Sequence, residues 1–171
     1  MKKTLSLAEI IVLSVSFIVF VIAIITLGTS SCESNNSSSI PSIHIRNTQD
    51  WTEYIASATT IKEIDDGLRS IPTDVFVNIY EDLSYLVIKK NNDYYAAKNI
   101  CIAFYWMKLY SPALENRCSE EQWNRIEEIK SRYVLLAMCF TSYGINAETL
   151  DKMFKVYRDY LKNGNNQKLY Y

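Results

Sequence analysis

The 171-residue sequence contains few residues that build turns, with only four glycines and three prolines. All-β sandwiches and Gly-rich phosphate-binding folds usually need more of both, so neither is expected. The single histidine, His44, excludes most His-based catalytic and metal sites within one chain. The formal net charge is −1, from 18 basic and 19 acidic side chains. No basic field is available for a nucleic-acid backbone, so nucleic acid is not an expected partner.

The motifs that usually mark a catalytic centre are also missing. The sequence has no Cys-x-x-Cys, no Glu-x-x-His, no Gly-x-Ser-x-Gly and no phosphate-binding loop. Adjacent acids such as Asp65-Asp66 and Glu127-Glu128 point about 100° apart on a helix, so they do not converge on one substrate. Solvated helix faces explain them. We therefore expect no catalytic residue, no cofactor, no metal site and no enzymatic activity.

What the sequence does contain is a long apolar run. Residues 10–28 carry no charge, and as a helix they would span roughly 28 Å, close to the hydrocarbon thickness of a bilayer. Lys2 and Lys3 precede the run, and the first basic residue after it is Arg46. Because positive residues favour the cytoplasmic side, the rest of the chain is expected outside the cytoplasm. Residues 1–28 are predicted to be a membrane anchor or a signal segment.

The residues after the run resemble the signal of a bacterial lipoprotein precursor. Small residues in the segment 27–31 (LGTSS) stand directly before Cys32, and the resemblance covers residues 1–33. Such signals usually have a large aliphatic residue three places before the cysteine, where this sequence has Thr29. The resemblance implies cleavage before Cys32 and attachment of a lipid to it. An uncleaved helix is the alternative, and both leave the chain fixed to a membrane.

A polar segment separates the run from the rest of the chain. Residues 29–49 are rich in Ser, Asn and Thr and are predicted to be a flexible linker. From Asp50, the expected cap of a first helix that begins at Trp51, apolar residues recur at helical spacing. The domain is expected over residues 50–164, and residues 165–171 form a short tail.

The helical pattern predicts an all-α bundle of five to six helices. Capping-box patterns begin helices at Thr60 and Ser119, and the helix after Ser119 is expected to continue unbroken to about Phe140. Segment 93–110 is apolar nearly all round, which places its helix at the centre of the bundle.

Aromatic residues are unusually frequent, at 13% of the chain with 13 tyrosines. Most are expected at the edge of the core, with the ring buried and the hydroxyl in water. The pairs Tyr94-Tyr95 and Tyr170-Tyr171 cannot both face one core. These four residues are therefore the candidates for an interaction surface, because Tyr is enriched at interface hot spots.

The cysteines after residue 100 fall into two classes. Cys101 and Cys139 lie in apolar helical segments and are expected to be packed thiols. Cys118 lies next to Arg117 at the start of a helix, where a thiolate would be favoured. Outside the cytoplasm Cys118 could instead pair with Cys101.

Taken together, the sequence predicts a non-enzymatic helical domain, tethered to a membrane and held outside the cytoplasm, which binds a protein or another envelope component. One alternative is a small accessory subunit of a larger membrane assembly, in which the apolar span packs against other helices. A hydrolase that acts on envelope material through an unrecognised site is the remaining alternative.

Overall fold

Residues 44–89 and 92–170 are the part of the chain that the computed structural model describes, and every regular element in them is helical. The predicted all-α class is confirmed for this part. Residues 44–89 and 92–170 contain seven α-helices rather than five or six. They are α1 (Thr48–Ser57), α2 (Ile61–Ser70), α3 (Thr73–Ile88), α4 (Tyr94–Tyr110), α5 (Glu120–Ser131), α6 (Tyr133–Phe140) and α7 (Ala147–Asn163), with 3₁₀ turns at Ser111–Leu114 and Thr141–Tyr143.

The predicted membrane span, residues 10–28, lies outside the described residues, and so do Cys32 and Tyr171. Within the described ranges, no helix has both the length and the apolar character needed to cross a bilayer.

The two predicted capping boxes are present. The Thr60 hydroxyl accepts a hydrogen bond from the Glu63 amide at 3.3 Å, and the Glu63 carboxylate accepts one from the Thr60 amide at 3.1 Å. Ser119 and Gln122 make the same reciprocal pair at the start of α5, at 3.2 and 2.9 Å. Each box satisfies two amides that have no partner within the helix, which explains why these starts are readable from sequence.

The first helix begins earlier than expected. Asn47, not Asp50, is its cap, because the Asn47 side-chain oxygen accepts a hydrogen bond from the Asp50 amide at 2.9 Å. Asp50 then lies in the first turn, where its charge complements the helix dipole. Ile45, two residues before the cap, is buried against the core. Ordered structure therefore includes residues that the composition placed in the linker.

Helix α4 occupies the centre, as predicted. Residues 101–107 are seven consecutive positions that each expose 5% or less of their surface. Helix α3 runs antiparallel to α4, since Tyr80 stacks on Phe104 at 4.9 Å between ring centroids and Phe76 meets Tyr110 at 5.9 Å. The hairpin of α3 and α4 is the base on which the other helices pack.

Three more helices cover the remaining sides of α4. From α1, the Trp51 indole nitrogen donates to the carbonyl of Ala103 at 3.2 Å. From α7, Tyr157 meets Trp106 edge to face, with ring centroids 6.0 Å apart. From α6, Phe140 contacts Phe104 in the same way at 6.1 Å.

The helix that was expected to be continuous from Ser119 to Phe140 is broken at Arg132. This residue has φ −85° and ψ −4°, and its amide donates to the carbonyls of Ile129 and Lys130 instead of the Glu128 carbonyl that a continuous α-helix would use. The turn reorients the chain, so that α5 packs along α3 while α6 packs against both α3 and α4. Because this depends on tertiary packing, the apolar stripe in the sequence does not reveal it.

The C-terminal segment is attached to the start of α2. The Ile61 amide donates to the carbonyl of Gln167 at 3.0 Å, and the Leu169 amide donates to the carbonyl of Thr59 at 2.9 Å. The Lys62 amide also donates to the Asn166 side-chain oxygen at 3.0 Å. Residues 166–169 of the segment taken as a tail therefore hold the α1–α2 connection.

Two glycines provide a matched test of local packing. Gly144 and Gly164 both have left-handed φ angles, of 73° and 71°. A Cβ atom at Gly164 would meet nothing within 4 Å, whereas one at Gly144 would lie 2.6 Å from the Tyr94 hydroxyl. We expect Gly164→Ala to lower the free energy of unfolding by about 1 kcal/mol through backbone strain alone. Gly144→Ala should lower it further, because Tyr94 must also move.

Denaturant unfolding of the two variants, each in the parent and in a Tyr94→Ala background, measures the difference. In the Tyr94→Ala background the two glycine substitutions should become equivalent. If Gly144→Ala and Gly164→Ala are equally destabilising when Tyr94 is present, the contact between residues 94 and 144 is wrong.

Candidate interaction surface

Large apolar side chains are exposed at several positions of α3 and α6. Five of these residues expose more than half of their surface: Tyr85, Ile88, Val134, Leu135 and Met138. On α6, the exposed positions 134, 135 and 138 share one face, because residues three and four apart lie above one another on a helix. The buried residues Leu136 and Phe140 occupy the other face. Helix α6 is therefore apolar on the side that faces the core and on the side that faces out.

Contacts at both ends fix the position of α6 on the α3–α4 hairpin. At its start, the Arg132 guanidinium pairs with the Glu128 carboxylate, and the neighbouring Tyr85 hydroxyl helps to raise the pKa of Arg132. Beyond its end, the Tyr143 ring lies against Tyr94 with centroids 6.1 Å apart. Helix α6 thus extends from the side of α3 toward the start of α4. Its exposed residues lie between Tyr85 at one end and Tyr94 at the other.

We call this region the α6 surface. It comprises the five residues Tyr85, Ile88, Val134, Leu135 and Met138, with Tyr94 and Tyr95 at its far end. Tyr94 and Tyr95 pack edge to face, with ring centroids 5.6 Å apart. Large apolar side chains that are exposed close together on neighbouring helices are candidates for an interaction site.

The candidates taken from the sequence divide between two places. Tyr94 and Tyr95 expose 46% and 77% of their surface and lie at the end of the α6 surface. Tyr170 exposes 86%, but it follows Leu169 in the segment bonded to Thr59, so it belongs to a different part of the molecule. Tyr171 lies outside the described residues. Whether any of these tyrosines binds a partner stays a prediction.

The five residues on α3 and α6 were not predicted as a surface from the sequence. For the three on α6, the signal was the run 133–140 (YVLLAMCF), which has no charged residue and is apolar at every helical position. A helix of this kind needs either burial on all sides or a partner for its outer face. The expectation of one long amphipathic helix concealed this signal, because the apolar positions on one stripe were enough to predict that helix.

Lys108 holds the start of α6 against α4. Its ammonium nitrogen lies 4.0 Å from the centroid of the Tyr133 ring and 5.4 Å from that of Tyr105. Burial, with a smaller contribution from the charge of Lys130, lowers the pKa of Lys108 to about 8. A cation over two aromatic faces is stabilised electrostatically, so Lys108 helps to pack α6 against α4. Its lowered pKa also means that it loses its proton at a moderately alkaline pH.

Asp65 corrects the expectation that the adjacent acids are all solvated. It exposes only 2% of its surface, whereas its neighbour Asp66 pairs with Lys62 near the protein surface. The Arg69 Nε atom donates to the Asp65 carboxylate at 2.6 Å, and the Tyr157 hydroxyl donates at 3.2 Å. Burial next to this carboxylate raises the pKa of Tyr157. The Asp65 carboxylate thus links α2 to α7, which is a structural role.

The three described cysteines are free thiols. Cys101 is buried, as expected, and burial raises its pKa to about 12. Cys118 corrects the expectation of a favoured thiolate: Arg117 does act to lower its pKa, but burial has the larger effect and raises it. The pairing of Cys101 with Cys118 is not formed in the structure.

A wide, open depression lies on the outer side of α5, lined by Ser119, Glu120, Glu121, Asn124, Arg125 and Glu128. Among residues 44–89 and 92–170, no group of three or more His, Cys, Asp or Glu side chains is placed to hold a metal ion. The α6 surface is the feature that most departs from an ordinary solvated exterior.

No family model, no curated protein and no solved structure matches the chain. The function must therefore be argued from the chemistry of the α6 surface itself.

The titration of Lys108 gives a prediction about pH and stability. Because its pKa falls from 10.5 to about 8 on folding, the folded chain binds this proton less tightly than the unfolded chain. The stability contributed by Lys108 should therefore rise as the pH increases from about 8 to 10.5. We expect the unfolding free energy of the parent, relative to Lys108→Met, to increase by about 2–3 kcal/mol between pH 7 and pH 10.

Lys62→Met is the matched control, because the hydrogen bond to Asp66 raises the pKa of Lys62. Its difference from the parent should change in the opposite direction, and by less, since this pair is largely solvated. A pH-independent difference for Lys108→Met would contradict the buried position of the ammonium.

Proposed function

We propose that the protein is a non-enzymatic helical module, tethered to a membrane and held outside the cytoplasm, which binds another component of the envelope through the α6 surface. The observation that carries this proposal is the clustering of five large, mostly exposed apolar side chains on and around α6. Burying such a surface against a partner is favourable by about 25 cal/mol for each Å² of apolar area removed from water.

The membrane tether rests on the sequence. The uncharged run at residues 10–28 is long enough to cross a bilayer as a helix, and the lysines before it favour an outward orientation. Lipid attachment at Cys32 after cleavage would fix the chain to the same membrane face. Both forms hold the helical unit close to a surface on which its partner can be found.

The roles of the unusual polar groups support binding rather than catalysis. Asp65 is held by Arg69 and Tyr157, and Lys108 lies over the rings of Tyr105 and Tyr133. These groups are therefore engaged in holding helices together. The α6 surface, in contrast, offers apolar contact area without a convergent set of acids or nucleophiles.

Site-specific photocrosslinking of the full chain in its native membrane tests this proposal. A photoreactive diazirine side chain replaces either Met138, on the α6 surface, or Leu161, which is 55% exposed on α7 and serves as the control. We expect abundant adducts at position 138 and few at position 161, because only the former position faces a partner.

Substituting Val134→Ser together with Leu135→Ser, with the diazirine kept at position 138, should remove the adducts and leave the thermal unfolding midpoint almost unchanged, since both side chains are mostly exposed. Equal labelling at positions 138 and 161 would contradict the proposal. Undiminished adducts in the double serine variant would contradict it as well.

A further inference from the structure

The chain enters the helical unit beside the α6 surface. Thr48 is the first residue of α1, and its hydroxyl donates to the Asp82 carboxylate on α3 at 3.0 Å. Asp82 lies one turn before Tyr85 on the same helix, so these two residues share a face of α3. The start of α1 therefore lies within about one helical turn of the α6 surface, and the described chain begins four residues before it, at His44.

The length of this connection limits how far the surface can be from a bilayer. Residues 29–47 separate the apolar run from α1. Fully extended, they reach at most about 65 Å, and any less extended form brings the entry point closer. Tethering at this distance gives an effective local concentration in the millimolar range, so a weak intrinsic affinity for the bilayer would suffice for docking.

The arrangement of side chains on the surface resembles the layers of a lipid interface, with aliphatic residues at the centre and tyrosines around them. Its centre is aliphatic, with Leu135 and Met138 mostly exposed, and three tyrosines lie toward its edges. Tyrosine prefers the boundary between hydrocarbon and water, because its ring is apolar and its hydroxyl is polar.

Both positive and negative side chains border the surface. Lys89 and Arg132 flank the exposed residues of α3 and α6. Of the neighbouring acids, Asp82 accepts from Thr48, Glu128 pairs with Arg132, and Asp93 caps α4 by accepting from the Tyr95 amide at 2.9 Å. Asp82 and Asp93 keep their negative charge in these hydrogen bonds, and Arg132 is already paired, so contact with a phosphate headgroup depends on Lys89.

We infer that the α6 surface docks on the lipid bilayer to which the chain is tethered. Leu135 and Met138 enter the boundary below the headgroups, and Tyr85, Tyr94 and Tyr95 lie at headgroup level. This inference rests on the proposed function and names its partner: the envelope component is the lipid surface itself. The alternative is a protein partner, and the experiment must distinguish binding to a protein from docking on lipid.

The test uses the full chain reconstituted into liposomes that contain phosphatidylcholine, phosphatidylglycerol and no other protein. After flotation, photolysis of a diazirine at position 138 or at the control position 161 is followed by mass spectrometry of lipid adducts. We expect about fivefold or more lipid adduct at position 138, because only that side chain is held in the bilayer.

A second variant guards against misfolding. In the Leu135→Ser, Tyr85→Ser background, the diazirine at position 138 should lose most of its lipid adduct while the circular dichroism spectrum stays helical. Undiminished labelling in this folded variant would overturn the inference, since lipid contact would then not depend on the surface.

The remaining outcomes separate the two proposals. If the chain floats but positions 138 and 161 label lipid equally, the docking inference is wrong and the tether stands. If the chain labels protein at position 138 in native membranes but no lipid in liposomes, the binding function stands and its partner is a protein. If the chain does not float, the tether and the docking inference both fail.

Discussion

The arrangement of the bundle follows from the burial of α4 on every side. Seven consecutive residues, 101–107, are removed from water, and a helix that is apolar all round is stable only when partners cover its whole circumference. Trp51, Tyr80 and Tyr157 bring α1, α3 and α7 against three of these sides. Helix α6 completes the enclosure through Phe140. Because its helices are short and its connections tight, the chain can pack α1, α3, α6 and α7 against the same central helix, α4.

The α6 surface is a consequence of the same packing. Covering α4 requires only one face of α6, yet α6 is apolar on both faces. The turn at Arg132 directs Leu136 and Phe140 inward, and it therefore directs Leu135 and Met138 outward. Replacing the outer residues with polar ones would leave the core unchanged, so the fold alone does not account for them. This is the physical reason for assigning them to binding.

Local signals were readable from the sequence, and signals that depend on tertiary contacts were not. The capping boxes at Thr60 and Ser119 and the central position of α4 were predicted, because each is encoded within one helix. The break at Arg132 and the burial of Asp65 were missed, since both depend on helices distant in sequence. For the candidate site, the exposed Tyr94-Tyr95 pair was predicted from the sequence. Leu135 and Met138 were not, because the pattern around them was interpreted as part of one long amphipathic helix. The membrane span remains a prediction from residues 10–28 alone.

Native-state hydrogen exchange of backbone amides, followed as a function of low denaturant concentration, tests the central role of α4 most directly. If α4 is the axis of the fold, the amides of residues 101–107 exchange only through global unfolding, with the free energy and denaturant dependence of the whole unit. Amides of the outer helix α6 should exchange through smaller openings. Exchange of the α4 amides through a local opening, while α1 and α3 stay protected, would contradict the account.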